Sequence, residues 1–327
     1  MPSLLFDAAI IGFLTIDMFV IGVFMLQFFK HGKKIMTSLA FLLFGFMLIS
    51  GGVVFYGSFI EPQRIVVMEQ SIDLRKDAST TMPHDLSIAL VSDFHVGPYK
   101  KKDFVEKAVT KINSLKPDMI LLAGDFAFGD EPPFEDLEPL KNLSAPLGVF
   151  AILGNHDYTE SNGRDPEDFA FEGNERVSAI VEQLEKAHIP LLINEVRLLE
   201  KNGKKFLLGG VDEIWSGRAD LLAITKERAE PLPTILLAHN PDIIYEARNE
   251  NIYLALAGHT HGGQIRLPVW GSVPRLPTEL GRHYDRGLFS FGETQLFITS
   301  GIGESGPRAR LFVSPEIALL KVILPDE

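Results

Sequence analysis

An α/β fold is expected, built from two mixed sheets packed face to face with helices outside and preceded by an apolar helical segment. Three observations predict it: two apolar runs fill residues 4–60, a strand–helix–strand order begins at residue 86, and strands dominate the C-terminal half. The 327 residues, 46% of them hydrophobic, are too many and too apolar for a peptide hormone, a disulfide knot or a disordered regulator. Residues 1–60 are read as a membrane anchor, 61–85 as a linker and 86–327 as one folded domain.

Residues 4–29 read LLFDAAIIGFLTIDMFVIGVFMLQFF and residues 35–60 read IMTSLAFLLFGFMLISGGVVFYGSFI. Each 26-residue run makes a helix of about 39 Å at ~1.5 Å per residue, longer than the ~30 Å hydrocarbon layer, so two transmembrane helices are expected. The first run lacks the short apolar region and small-residue cleavage site of a secretory signal, and a second run follows at once, so it is read as retained. A buried helical hairpin, or one span plus one surface-lying helix, are the other readings. Asp17 keeps the latter open, because an isolated carboxylate at mid-membrane is costly. The link KHGKK (30–34) carries three Lys, whereas EPQR after the second run is nearly neutral. The positive-inside rule therefore places the link in the cytoplasm and everything after residue 60 outside, although Arg64, Arg75 and Lys76 weaken the asymmetry.

From residue 86 the pattern changes. LSIALVSD (86–93) reads as a strand, KKDFVEKAVTKINSLKP (101–117) as an amphipathic helix stopped by Pro117, and DMILLAGD (118–125) as the next strand. Strand 146–157, helix 176–189 and strand 190–200 follow, and then strands over 204–212, 233–240, 251–259, 294–302 and 309–324. Residues 262–292, rich in Gly and Pro, read as one long loop of the kind that forms binding surfaces.

The chain carries 31 Lys and Arg against 43 Asp and Glu, a net charge of -12. Only three Lys and two Asp fall in the first 60 residues, so the acidity belongs to the remainder, at -13. That balance lacks the basic field that phosphate-backbone binding draws on, so nucleic acid is not an expected partner. With no cysteine, thiol nucleophiles, thiolate ligands and disulfides are excluded, and any metal must be held by His, Asp, Glu or Asn.

Those residue types stand at the C-terminal ends of the expected strands. Asp93 and His95 follow the first, Asp125 the second, Asn155 and His156 the third, His239 and Asn240 a later one, and His259 and His261 the last of this group. Open α/β sheets place their sites at that edge, so residues distant in sequence converge on one rim. Imidazoles, carboxylates and an amide oxygen suit Mn, Fe or Zn better than Ca or Mg. Singly, each motif has an ordinary reading as a turn; their number and order give them weight.

Asp93-Phe94-His95, Gly124-Asp125, Gly154-Asn155-His156-Asp157, His239 and Gly258-His259-Thr260-His261 together resemble the calcineurin-like metallophosphoesterase superfamily over about residues 86–324. SDFHVG, KPDMILLAGD, LLAHNPD and LAGHTHGGQIRLP are similar to its membrane-anchored YaeI/YkuE-like branch, which also contains the chlamydial-type UDP-2,3-diacylglucosamine pyrophosphatase. The resemblance implies the four-layer α-β-β-α sandwich, with 86–327 as the catalytic domain. It implies two divalent metals, Mn2+ first with Fe or Zn as alternatives. Asp93, His95 and His261 would hold one metal, Asn155, His239 and His259 the other, and Asp125 would bridge them. His156 would face the phosphate as an electrostatic stabiliser or general acid, with Asp157 supporting it in the catalytic loop. Arg266 is a candidate phosphate contact; Arg308 and Arg310 rank below it. Phe94 stands where the branch usually has Leu, and AFG (127–129) replaces the more usual VD in the stretch after Asp125, so the departures touch substrate rather than ligands. The implied activity is metal-dependent hydrolysis of a phosphoric ester or diphosphate at a bacterial inner membrane. In its sharpest form it cleaves UDP-2,3-diacylglucosamine; an extracytoplasmic phosphodiester or a phosphoprotein is the alternative substrate.

Overall fold

The computed structural model describes residues 2–31, 38–75, 84–159, 171–226 and 232–325. Helix α1 runs Pro2–His31 and α2 runs Ser38–Phe55, the latter prolonged by a π turn at Tyr56–Ile60 and a 3-10 turn at Glu61–Gln63. Both are apolar on every side: Leu4, Phe19, Leu26, Leu42, Phe46 and Ile49 are each more than two-thirds exposed. Leu4–Lys30 and Ala40–Gln63 are long and apolar enough to cross a membrane, and at 6% and 11% buried neither is the core helix of a globular domain. The two pack on each other, with Phe24 stacked on Phe44 at 4.3 Å between ring centroids. Asp17 is buried against Gly51, where an added Cβ would meet its Oδ2 at 2.2 Å. The costly carboxylate thus lies between the helices rather than on their outer surface. Lys33 and Lys34 of the KHGKK link, and Lys76, lie outside the described residues.

The strands are β1 (Val66–Asp73), β2 (Leu86–Val91), β3 (Met119–Ala123), β4 (Val149–Ile152), β5 (Glu195–Lys201), β6 (Lys204–Gly210), β7 (Thr234–Leu237), β8 (Leu254–Ala257), β9 (Arg266–Leu267), β10 (Gly271–Ser272), β11 (Gly287–Phe291), β12 (Thr294–Ile298) and β13 (Glu316–Ile323). One sheet has the order β1-β13-β2-β3-β4 and the other β11-β12-β8-β7-β6-β5, while β9 and β10 form a separate ribbon. Between the sheets lie Ile88, Leu90, Leu121 and Ile152 from the first and Leu208, Leu237 and Leu256 from the second. Helices α3 (Lys102–Ser114), α4 (Asn155–Tyr158), α5 (Glu175–Lys186), α6 (Leu221–Lys226) and α7 (Ile244–Ala247) complete the chain. Phe104, Ile112, Val177 and Leu184 of α3 and α5 cover the outer face of the first sheet. Ile224 and Ile244 of α6 and α7 cover that of the second, which gives the expected four layers. Each layer boundary is a face of alternating apolar residues that the neighbouring layer removes from water.

Three boundaries differ from the sequence reading. The linker assigned to 61–85 contains β1, paired in parallel with β13 from Val66↔Glu316 to Asp73↔Ile323, so the sheet begins before residue 86. As an edge strand it is half exposed and polar at Glu69 and Gln70, which hid its period. The 262–292 loop contains the β9–β10 ribbon and β11, another edge strand, antiparallel to β12. Within 309–324 only Glu316–Ile323 is strand, and the residues before it form the irregular segment that meets α2.

Candidate metal centre

Strands β2, β3 and β4 run parallel in one sheet and β6, β7 and β8 in the other, so their C-terminal ends share a rim. The main chain fixes the loops above it: Asp93 N–H donates to Gly124 O (2.9 Å), His95 N–H to Asp125 O (3.1 Å) and Gly258 N–H to His239 O (3.0 Å). Crowding explains two motif glycines. A Cβ on Gly154 would stand 2.3 Å from Asp125 Oδ1, and one on Gly258 would stand 1.9 Å from Ser92 Oγ. Asp93, His95, Asp125, His259 and His261 all have positive φ, between 47° and 70°. Such left-handed backbone costs on the order of 1 kcal/mol or more per non-glycine residue, and strain of this kind concentrates at functional sites.

Six of the seven residues expected to hold metal come together. Ligand atoms of Asp93, His95, Asp125 and His261 lie within 4.8 Å of one another, as do those of Asp125, His239 and His259, so Asp125 belongs to both groups. Its Oδ2 is 3.3 Å from His95 Nε2 and 3.1 Å from His239 Nε2. Asp93 Oδ1 is 3.7 Å from His95 Nε2 and 3.4 Å from His261 Nε2.

The hydrogen bonds around the rings set their tautomers. His239 Nδ1 lies 2.7 Å from Ala123 O and His259 Nε2 lies 2.9 Å from Pro277 O; against a carbonyl oxygen each nitrogen must carry the proton. The lone pairs of His239 Nε2 and His259 Nδ1 then face each other at 3.1 Å, beside the Asp125 carboxylate. With the imidazoles unprotonated at these atoms, three acceptors converge without a donor, an arrangement that a cation between them satisfies. Among the described residues, Asp93 Oδ1, Asp125 Oδ2, Asn155 Oδ1 and His95 Nε2 are buried without a hydrogen-bond partner. Buried acceptors left unpaired cost about 1–3 kcal/mol each, and coordination to divalent cations would satisfy them. The proton affinities point the same way. Burial alone would lower His95 and His239, yet the Asp125 carboxylate outweighs it and raises them to about 9 and about 10. The residues present therefore fit two divalent metals.

His156 is buried with its ring against His95 and Phe128, at 5.2 Å from each. Burial, with the nearby His95 and His239, holds it down to about 4 against the pull of Asp125, so the ring is neutral at pH 7. Asp157 follows His156 in the same loop. Its carboxylate accepts hydrogen bonds from the N–H groups of Gly154 (2.9 Å), Asp125 (2.8 Å) and Phe126 (2.7 Å). Arg266 is ion-paired with Asp285 (2.8 Å) at the base of the β9–β10 ribbon, and Arg310 is fully buried with its guanidinium on main-chain carbonyls. Sequence reasoning missed Trp215, whose ring meets His259 at 4.8 Å and which sits in no motif block; Phe128, beside His156, is the Phe of the AFG noted in the sequence.

Residues 86–263 match the calcineurin-like phosphoesterase family. Phosphodiesterase YaeI of Escherichia coli is 30% identical over 82% of this chain and 92% of its own length. UDP-2,3-diacylglucosamine pyrophosphatase LpxG of Chlamydia trachomatis is 28% identical over 82% of this chain and 92% of its own. F40B5.2 of Caenorhabditis elegans is 31% identical over 85% of this chain, which spans about half, 55%, of that longer protein. YaeI and LpxG are of the branch to which the motifs pointed. With the four-layer fold, the convergent His and Asp side chains and a family match over more than half its length, this chain belongs to the calcineurin-like phosphoesterase family and is a hydrolase of phosphoester bonds.

Proposed function

We propose that this hydrolase is anchored in the bacterial inner membrane by α1 and α2 and acts, with two divalent metals, on a phosphodiester or diphosphate bond of a lipid-linked substrate. The supporting observation is the seat of Arg310. Its main-chain N–H donates to Gly57 O (2.8 Å) at the end of α2. Its guanidinium donates to Ser300 O (2.9 Å), Gly301 O (3.2 Å) and Gly303 O (3.2 Å). That loop lies on the ligands: a Cβ on Gly301 would stand 2.8 Å from Asp93 Cβ, and one on Gly303 would stand 2.7 Å from His95 Cβ. One buried residue thus joins the apolar helices, through its main chain, to the ligand loop, through its side chain, which suits a substrate held in the membrane.

Asp93, His95 and His261 would hold one ion and Asn155, His239 and His259 the other, with Asp125 shared. When bound, such ions polarise phosphoryl oxygens and make water acidic enough to attack phosphorus at neutral pH. In the reaction a water oxygen bonds to phosphorus, the bridging P–O bond breaks and the leaving oxygen takes up a proton. His156, neutral and buried, supplies one N–H to the phosphoryl group as its charge redistributes. Asp157 keeps Asp125 in register by fixing the main chain on either side of it.

UDP-2,3-diacylglucosamine, cleaved to UMP and 2,3-diacylglucosamine 1-phosphate, is the sharpest form of the proposal and rests on likeness to LpxG. The KHGKK link favours a second reading, an extracytoplasmic phosphodiester of the envelope, because it places the catalytic domain outside. The test is the full chain loaded with Mn2+ and assayed on UDP-2,3-diacylglucosamine, bis-p-nitrophenyl phosphate and p-nitrophenyl phosphate, with topology reporters fused in the link and at Glu327. Cleavage of the nucleotide lipid and a cytoplasmic C-terminus support the first reading. An external C-terminus selects the second, and activity on the monoester alone defeats both.

A further inference from the structure

The β9–β10 ribbon carries an apolar tip that the hydrolytic centre does not use. Val269 is fully exposed, Trp270 is 72% exposed, and Leu267 and Val273 are each nearly half exposed. Phe312, 54% exposed, completes the patch. Val269 also sits at φ +70°, where a β-branched residue is strained and Gly or Asn would be at ease. A solvated turn needs neither the strain nor the apolar surface. An exposed cluster of this kind marks an interaction surface.

The ribbon's position says what covers it. Arg266 N–H donates to Leu311 O (2.9 Å), and Leu311 N–H donates to Gln264 O (2.8 Å), which fixes the ribbon base to the 310–314 segment. That segment holds the end of α2: Phe312 N–H donates to Glu61 Oε2 (2.9 Å) and Ser314 Oγ to Glu61 Oε1 (3.2 Å). Arg308 lies over the ring of Phe59, 5.4 Å from its centroid. The exposed patch is therefore continuous with the point where the apolar helix enters the catalytic domain. Beside the tip a cavity of ≈ 540 Å³ is lined by Trp270 and Phe312 together with Arg282, His283 and the Arg266–Asp285 ion pair. Apolar and aromatic side chains backed by arginines match the headgroup–acyl boundary of a bilayer, where Trp is favoured and cations meet lipid phosphates.

We propose that the Leu267–Val273 ribbon and Phe312 form a second membrane contact that seats in the bilayer interface beside α2. The surface rests on the anchoring proposed above and extends it. The ribbon begins five positions after the ligand His261, and a Cβ on Gly263 would stand 2.0 Å from Ser272 Oγ, so ribbon and ligand loop are locked together. Seating the tip in lipid orients the metal centre toward phosphates at the membrane surface.

The test uses the full chain in nanodiscs with ordinary or brominated acyl chains. Trp215 and Trp270 are the two tryptophans, so the difference between wild type and Trp270→Phe isolates the emission of Trp270. Brominated chains should quench that emission at least about twofold, while aqueous iodide leaves it unchanged. Val269→Asp combined with Trp270→Ser should slow hydrolysis of a phosphodiester lipid presented in vesicles about tenfold and leave bis-p-nitrophenyl phosphate hydrolysis unaltered. Quenching by iodide and not by brominated lipid overturns the proposal, as does a dimer that shields Trp270 from both. Extraction of the wild-type chain by alkaline carbonate defeats the anchoring itself and this contact with it. Bromine quenching in a chain inactive on every lipid phosphate upholds the contact while defeating the proposed substrate.

Discussion

The carboxylate of Asp157 receives the main-chain N–H of Asp125 at 2.8 Å, so the residue that closes the GNHD block holds the loop that carries the residue shared by both ligand groups. The neighbouring Phe126 N–H donates to the same carboxylate at 2.7 Å. In Asp157→Asn one oxygen becomes an NH2 group facing N–H donors. Metal affinity should fall about 10–100-fold, with kcat recovering at saturating Mn2+. Calorimetric titration beside activity at graded Mn2+ checks it. A kcat that stays low at full occupancy would return Asp157 to a direct catalytic role.

His156→Ala should do the reverse. Its ring has no assigned share in holding metal, and its Nδ1 has no hydrogen-bond partner. Metal content should be unchanged while kcat falls about 10²–10³-fold, the size expected for losing one donor that stabilises developing charge. Elemental analysis with steady-state kinetics separates the two effects, and near wild-type turnover would remove His156 from the reaction.

Asp125→Ala removes the one side chain common to both ligand groups and leaves His239 Nε2 and His259 Nδ1 facing each other without it. The variant should bind at most about one ion per chain under conditions that load two into wild type, because the shared carboxylate also offsets the repulsion between the ions. Elemental analysis after desalting reports the ratio directly. Two tightly held ions would refute the bridge.

The centre was legible in the sequence because its ligands are short-range events. Each follows an apolar strand by two to four residues, as Asp125 follows β3 and His239 follows β7, so a local pattern carries the chemistry. Asp157 was legible as part of a motif, but its bonds to Asp125 and Phe126 were not, since these belong to the loop after β3, about thirty positions earlier. Edge strands β1 and β11 were lost for a related reason: a strand half exposed at a sheet edge keeps polar residues and shows no clean alternation. Arg310 looked like any surface arginine. Only tertiary structure shows its donors spent on the carbonyls of residues 300, 301 and 303.

Asp118 offers a test of stability remote from the metals. At the end of the sandwich opposite the centre its Oδ2 accepts from Ser87 N–H (2.9 Å) and Ser87 Oγ (2.8 Å), and its Oδ1 lies 2.6 Å from Lys201 Nζ, so it ties β2 to β5 across the two sheets. Burial would raise its carboxyl, but Lys201 and Ser87 outweigh burial and hold it below the usual range. A carboxyl lowered in the folded state stabilises the fold at pH values above its unfolded value of ~3.9, and that contribution is lost as pH falls through the folded value. Asp118→Asn keeps the shape and removes the charge, at a cost of about 1 kcal/mol near neutrality. For a domain of this size the Tm should drop by about 2–4 °C at pH 7. Thermal unfolding of both proteins in detergent, followed from pH 7 to pH 3, should show the gap hold down to about pH 5 and close below it. A gap of constant size across that range would mean that Asp118 acts through packing and not through its charge.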